Sequence, residues 1–281
     1  MRRRISAQGA PASRPPIFTL RAAPRPAVGR AIGAGAIGLF LLLWWAVTYG
    51  ATPETRFISP VVLPSPGEVI RSFPSLLTER ALLESIAATL RRVLAGFALA
   101  VLVGVPLGIL AGAYRVVDAA FAPLALFGRN IPVAALIPLT ILWFGIEETQ
   151  KTMFIFLATA PFVFSGALDA VVSVHERYVE SAQTLGASSR QVIAKVLIAL
   201  ALPGIYGSLR TLFGLAFGYI MLAELINAKF GLGYLLSMSQ RRGMTEHIIL
   251  ILLIIGVLAY VIDRLLYWFQ LQLFPYLARQ E

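Results

Sequence analysis

The chain is predicted to be an all-α polytopic membrane protein with about six transmembrane helices. Three observations predict this. Hydrophobic residues make up 58% of its 281 positions and its mean hydropathy is +0.79, against about 45–50% apolar residues in soluble domains. Apolar runs of about 20 residues recur, each long enough to cross a hydrocarbon core of roughly 30 Å. The alternating segments of a membrane barrel do not occur.

The spans fall near 31–50, 86–113, 117–144, 151–171, 204–226 and 247–271. Ahead of them, residues 1–30 carry seven Arg and no acid. Pro and Ala content marks this stretch as a disordered tail. Its charge reads as a positive-inside signal beside an anionic leaflet, not as a nucleic-acid footprint. No small-x-small cleavage site follows the first apolar run, so 31–50 is read as a retained span. With the tail inside, six spans put both termini in the cytoplasm. The inside segments then hold 13 Lys and Arg against 7 outside, or 6 against 7 without the tail. Orientation therefore rests on the tail.

The third span is interrupted by Arg129, Asn130, Pro132 and Pro138 and is expected to be a broken helix. Backbone freed at a break is tolerated only against protein or a water-filled cavity. Arg129, Asn130 and Pro132 are therefore candidates for a translocation path, the alternative being a kink buried in protein. Glu224 is a further candidate, with a plain ion-pair role as the alternative. In the loop 51–85, Ser65-Pro66-Gly67-Glu68 has the form of a capping box, predicting a short surface helix disturbed at Pro74. Gly104, Gly108 and Gly112 form a small-residue ridge, as do Gly214 and Gly218. Such ridges allow close helix packing, within one subunit or between two.

The polar stretch 172–203 between two spans is longer than a connection needs. Tyr178, Ala182 and Leu185 share one helical face. Gly186 is placed to end that helix by adopting positive φ. Ser188 and Gln191 then offer a second capping box. The expected result is helix, glycine turn and second helix, with Pro203-Gly204 opening the next span. Interfacial anchors carry a basic polar face opposite Trp or Phe. This segment is mixed in charge and poor in aromatics, which favours protein docking over lipid contact.

Several chemistries lack their residues. The chain has no Cys, and His175 and His247 are far apart, so thiolate, disulfide and zinc sites are not expected. No G-x-x-x-x-G-K-[ST] occurs and the three Lys follow no suitable Gly, so ATP is expected on another chain, with no cofactor in this one.

Glu180-Ser181-Ala182 followed by Gly186 resembles the E-A-A-x-x-x-G motif of bacterial ABC importer permeases. More of the chain, roughly 60–272, resembles their nitrate/sulfonate/taurine-type branch. The matching stretches are Leu63-Pro64-Ser65-Pro66, Thr89 to Phe97, Gly104 to Gly108, Ile131-Pro132 to Gly145, Leu202 to Ile205, Ala223 to Ile226 and Gly231 to Tyr234. Ser181 replaces the first Ala of the motif, and Ala199 stands where the general pattern has a proline.

The resemblance implies a type I ABC importer permease fold over 31–281. It implies that Glu180, Ser181, Ala182, Leu185, Gly186, Ala187 and Ser188 form a cytoplasmic coupling helix. The implied partners are two ATP-binding subunits carrying Mg-ATP, an external solute-binding protein and a second permease copy, in the bacterial inner membrane. The alternatives are an ion-coupled secondary transporter and a membrane-embedded enzyme. The ion-coupled reading would use Arg91, Arg92, Arg129, Arg210 or Glu224, yet Arg cannot cycle protons. Arg91, Arg92 and Arg210 are expected near span ends, where snorkelling is ordinary. No His/Asp/Glu cluster converges as an enzyme site would need.

Overall fold

The computed structural model describes residues 25–50, 56–226 and 228–276. The chain divides after Pro60 into two compact units. In the first, helix α1 (Pro26–Val47) carries a proline in its first turn, where a missing N–H costs nothing. The first span therefore starts before residue 31, inside the stretch read as tail. Residues 1–24 lie outside the described residues.

The second unit is built of helices. Two short ones, α2 (Pro66–Arg71) and α3 (Phe73–Thr78), precede the long spans. The predicted capping box forms: Ser65 N–H donates to the Glu68 carboxylate at 2.8 Å. The chain breaks at Ser72, and Pro74 sits in the first turn of α3. Buried Val69 and Leu76 hold this pair down. His247 joins it to the last span through a 2.8 Å hydrogen bond with Ser75.

The centre of the unit is the pairing of α4 (Leu82–Ala113) with α7 (Glu148–Val172). Gly96, Gly104, Gly108 and Gly112 all face α7. A Cβ on Gly108 would stand 2.5 Å from the Phe164 carbonyl oxygen and 2.7 Å from Ala167 Cβ. No side chain fits there, so this ridge packs within the subunit. Gly214 and Gly218 differ: a Cβ on either would meet nothing within 4 Å.

The third span is broken as expected. Helix α5 (Arg115–Asn130) ends, a 3₁₀ turn (Val133–Ala135) follows, and α6 (Leu136–Phe144) leaves at 92°. Pro132 causes the break by driving Ile131 into extended conformation, φ −68° and ψ 128°. Pro138 breaks nothing. It lies in the first turn of α6, where N–H groups have no intrahelical acceptor.

The polar stretch departs from expectation in its second half. Helix α8 (Glu176–Thr184) ends at Gly186 as predicted. The following helix is not a separate piece. From α9 (Ser189–Val192) it passes through a π-helical turn (Ile193–Leu197) into α10 (Ile198–Glu224). This makes a 36-residue span from Ser189 to Glu224. Pro203 lies inside it and opens nothing. No residue between Ser189 and Pro203 breaks a helix, and Pro203 removes only one ladder bond. The chain ends its described part with α11 (Leu232–Arg241) and the last span, α12 (Thr245–Leu273).

Candidate functional site

Three places in the second unit concentrate polar residues. The first is the glycine turn. Gly186 has φ +81°. The Ala187 N–H donates to the Ala182 carbonyl at 3.0 Å and the Gly186 N–H to Gln183 at 2.8 Å. This pair of bonds is a Schellman motif, which needs the left-handed residue that glycine supplies. Across the turn, Ser188 N–H donates to the Gln191 side chain at 2.8 Å. Both helix ends are thus satisfied locally, with the Ser181 hydroxyl donating to the Arg177 carbonyl and the Ser188 hydroxyl to Gln191. Leu185 is 88% exposed. Glu180, Ser181, Gly186 and Ser188 are exposed, and Ala182 and Ala187 half-buried. His175 is the N-cap of α8, its Nδ1 accepting from Arg177 N–H.

The second place is the broken span. Arg129, the penultimate residue of α5, lies with its guanidinium 5.8 Å from the centre of the Phe162 ring on α7. It borders a cavity of about 580 Å³ between α5 and α7, lined also by Asp118, Leu126, Ser165 and Asp169. Asn130 turns back onto its own helix, donating to the Leu126 carbonyl at 2.7 Å. Pro132 is exposed at the break.

The third place was not foreseen as a unit. Arg92 is only 2% exposed, so it does not snorkel. Its Nη1 donates to Glu224 at 2.7 Å and to the Phe230 carbonyl at 2.7 Å. Its Nε and Nη2 donate to Glu148 at 2.7 and 2.5 Å. Glu224 is fully buried and also accepts from the Thr89 hydroxyl at 2.9 Å and from Gly233 N–H at 3.0 Å. The Thr89 oxygen in turn accepts from Leu232 N–H at 2.9 Å. A Cβ on Gly231 would stand 2.5 Å from the Glu224 carboxyl, and one on Gly233 would stand 2.8 Å from Glu224 Cβ. Both glycines are there because the loop lies directly on the carboxylate. Glu224 is thus separated from the cavity beside Arg129 and acts in this conformation as a buried ion-pair centre.

Arg210 does not lie at a span end either. It sits well inside the long span and donates to Asp263 of α12 through two bonds of 2.6 and 2.7 Å. Asp263 and Glu148 escaped the sequence reading. A base buried in one span demands an acid from another, and that demand was their only signal.

The family described as binding-protein-dependent transport system inner membrane component matches residues 104–276. The chain belongs to this permease family. A probable ABC transporter permease protein of Brucella melitensis is 36% identical over 225 residues, covering 80% of this chain and 92% of that protein. The taurine transport system permease protein TauC of Escherichia coli is 32% identical over 250 residues, covering 87% and 89%. Among solved structures, the inward-facing MetNI methionine ABC transporter superposes with a TM-score of 0.59 at 22% identity, covering 67% of this chain and 94% of that one. The permease is therefore a multi-pass inner-membrane component of an ABC importer, in the nitrate/sulfonate/taurine branch, with the type I permease fold.

Proposed function

We propose that this permease forms the membrane path of an ATP-driven importer for a small solute such as a sulfonate, a nitrate-like anion or a vitamin precursor. An external binding protein delivers the solute. Two cytoplasmic ATP-binding subunits carry Mg-ATP, and a second copy of the permease completes the path. Both termini lie in the cytoplasm.

The observation that carries this reading is the turn at Gly186. It presents Glu180, Ser181, Ala182, Leu185, Ala187 and Ser188 on an otherwise self-satisfied hairpin of helices. Leu185 stands 88% exposed at its tip, an apolar anchor suited to a cleft on a partner. The helix after the turn runs without interruption into the long span, so a push on the loop reaches the membrane. Arg129, Asn130 and Pro132 border the solute path at the broken span. Glu224 stays apart from that path and holds the helices around it together through its buried ion pair.

The ion-coupled reading is weaker, because Glu224 and Arg92 hold each other and Arg210 holds Asp263. Reconstitution tests the choice. Uptake into vesicles should require ATP, the ATP-binding subunit and the binding protein together. Uptake driven by an ion gradient alone would overturn the proposal.

A further inference from the structure

The depth of Arg129 follows from two helices independently. Counting from Asp118, the last charged residue before it on α5, the helix carries it about 16 Å along its axis at 1.5 Å per residue. Its guanidinium stands over Phe162, which lies near the middle of the 25-residue α7. With a hydrocarbon core of roughly 30 Å, this is mid-membrane. The side chain is exposed, and no carboxylate among the described residues pairs with it. Among the other arginines within the spans, Arg91, Arg92 and Arg210 have acids, and Arg264 of α12 donates to the Tyr260 hydroxyl. A guanidinium at this depth is too costly to face lipid and marks an ion or substrate pathway.

The cavity it borders is polarised. Asp118 and Asp169 also line it, but Asp118 sits in the first turn of α5, about 16 Å along the axis from Arg129. Neither acid reaches the guanidinium. Phe162 covers one face of the guanidinium, leaving its edge, the five-donor fork, for a planar or tetrahedral oxyanion.

Resting on the transport path assigned above, we propose that Arg129 is the anion-binding residue of that path. It takes the sulfonate or carboxylate group of a small solute at mid-membrane, through paired hydrogen bonds from its guanidinium. The charge that a lone arginine would otherwise leave uncompensated is then neutralised by each passing solute. Anions are favoured over cations of the same size.

The chain contains no cysteine, so one introduced thiol is unique within it and reports alone when the partner subunits are cysteine-free. Leu126 lines the same cavity and is 62% exposed. Leu126→Cys, in the full chain assembled with its partner subunits in vesicles, is reacted with two thiosulfonate reagents of matched size. One ends in a sulfonate and the other in a trimethylammonium group. The ratio of their rates should fall about tenfold when Arg129→Gln is added, as expected for loss of a focusing charge. Arg129→Lys should retain most of the ratio. In the Leu126→Cys chain with Arg129 intact, inorganic sulfate should slow the sulfonate reagent and choline should not. A ratio indifferent to Arg129→Gln, or equal effects of sulfate and choline, overturns the anion site and leaves the path standing. If neither reagent reacts in any nucleotide state, the cavity is not on the path and both readings fall.

Discussion

Arg92 and Glu224 are 132 positions apart in sequence and 2.7 Å apart in space, and both are buried. The pair fastens α4 to α10, and through Phe230, Leu232 and Gly233 it fastens the loop before α11 to both. Four separate stretches of the sequence, around Thr89, Glu148, Glu224 and Gly231, serve one structural joint.

Removing one member should cost more than removing both. Arg92→Met leaves a buried carboxylate without its cation and should lose about 3–5 kcal/mol of stability. Adding Glu224→Leu should recover much of that loss. Thermal unfolding of the purified protein in detergent measures both, and equal stability of Arg92→Met and the unmodified chain would disprove the joint.

The glycine ridge on α4 should be intolerant of bulk. Gly108→Val puts atoms into the Phe164 backbone and Ala167, costing about 1–3 kcal/mol of overpacking. Gly218→Ala, in open space inside α10, should be neutral or stabilising by up to about 1 kcal/mol in the isolated chain. The same unfolding assay compares them, and a reversed order would contradict the packing described.

At the turn, space and conformation separate cleanly. Nothing lies within 4 Å of a Cβ on Gly186, yet its φ is +81°. Gly186→Val should therefore cost about 1–2 kcal/mol locally through the left-handed backbone alone. Gly186→Asn should cost less. Membrane insertion should be unchanged in both, while transport per ATP hydrolysed should fall with Val. Full coupling in the Val variant would remove the turn from the mechanism.

Arg210 and Asp263 clasp α10 to α12 with a two-bond fork. Arg210→Lys keeps the charge and loses the fork, which should cost about 1 kcal/mol, since both side chains are partly exposed. Arg210→Ala should cost more than Asp263→Asn, because it also removes the guanidinium from over the Tyr267 ring, 4.7 Å away. A double-mutant cycle in the unfolding assay gives the coupling directly, and a coupling of zero would contradict the clasp.

Most of the architecture was legible locally. Apolar runs announce spans wherever they are long enough, and Pro132 and Gly186 act on their own backbone, so the break and the turn could be read in place. The start of the long span was missed because Pro203 looks like a boundary in a sequence and is only a lost hydrogen bond in a helix. The joint at Arg92 was missed for a different reason. Its members lie in three spans and a loop, and nothing near Arg92 in the chain says that α4 and α10 meet. The requirement that a buried charge find its opposite is visible in a sequence, but its solution is not.

The π-helical turn at Ile193–Leu197 carries a consequence for alignment and rotation. Each helical residue advances the azimuth by about 100°, and a π turn absorbs one residue beyond the α-helical register. Everything on the loop side of Ile193 is thus offset by one position from the phase that the span would otherwise dictate. Deleting a single residue there would let the helix relax to uniform winding. Inserting one would enlarge the bulge. The bulge thus takes up a one-residue difference in chain length, like the slack in a belt, and the hairpin at Gly186 keeps its orientation about the span axis whether or not that residue is present.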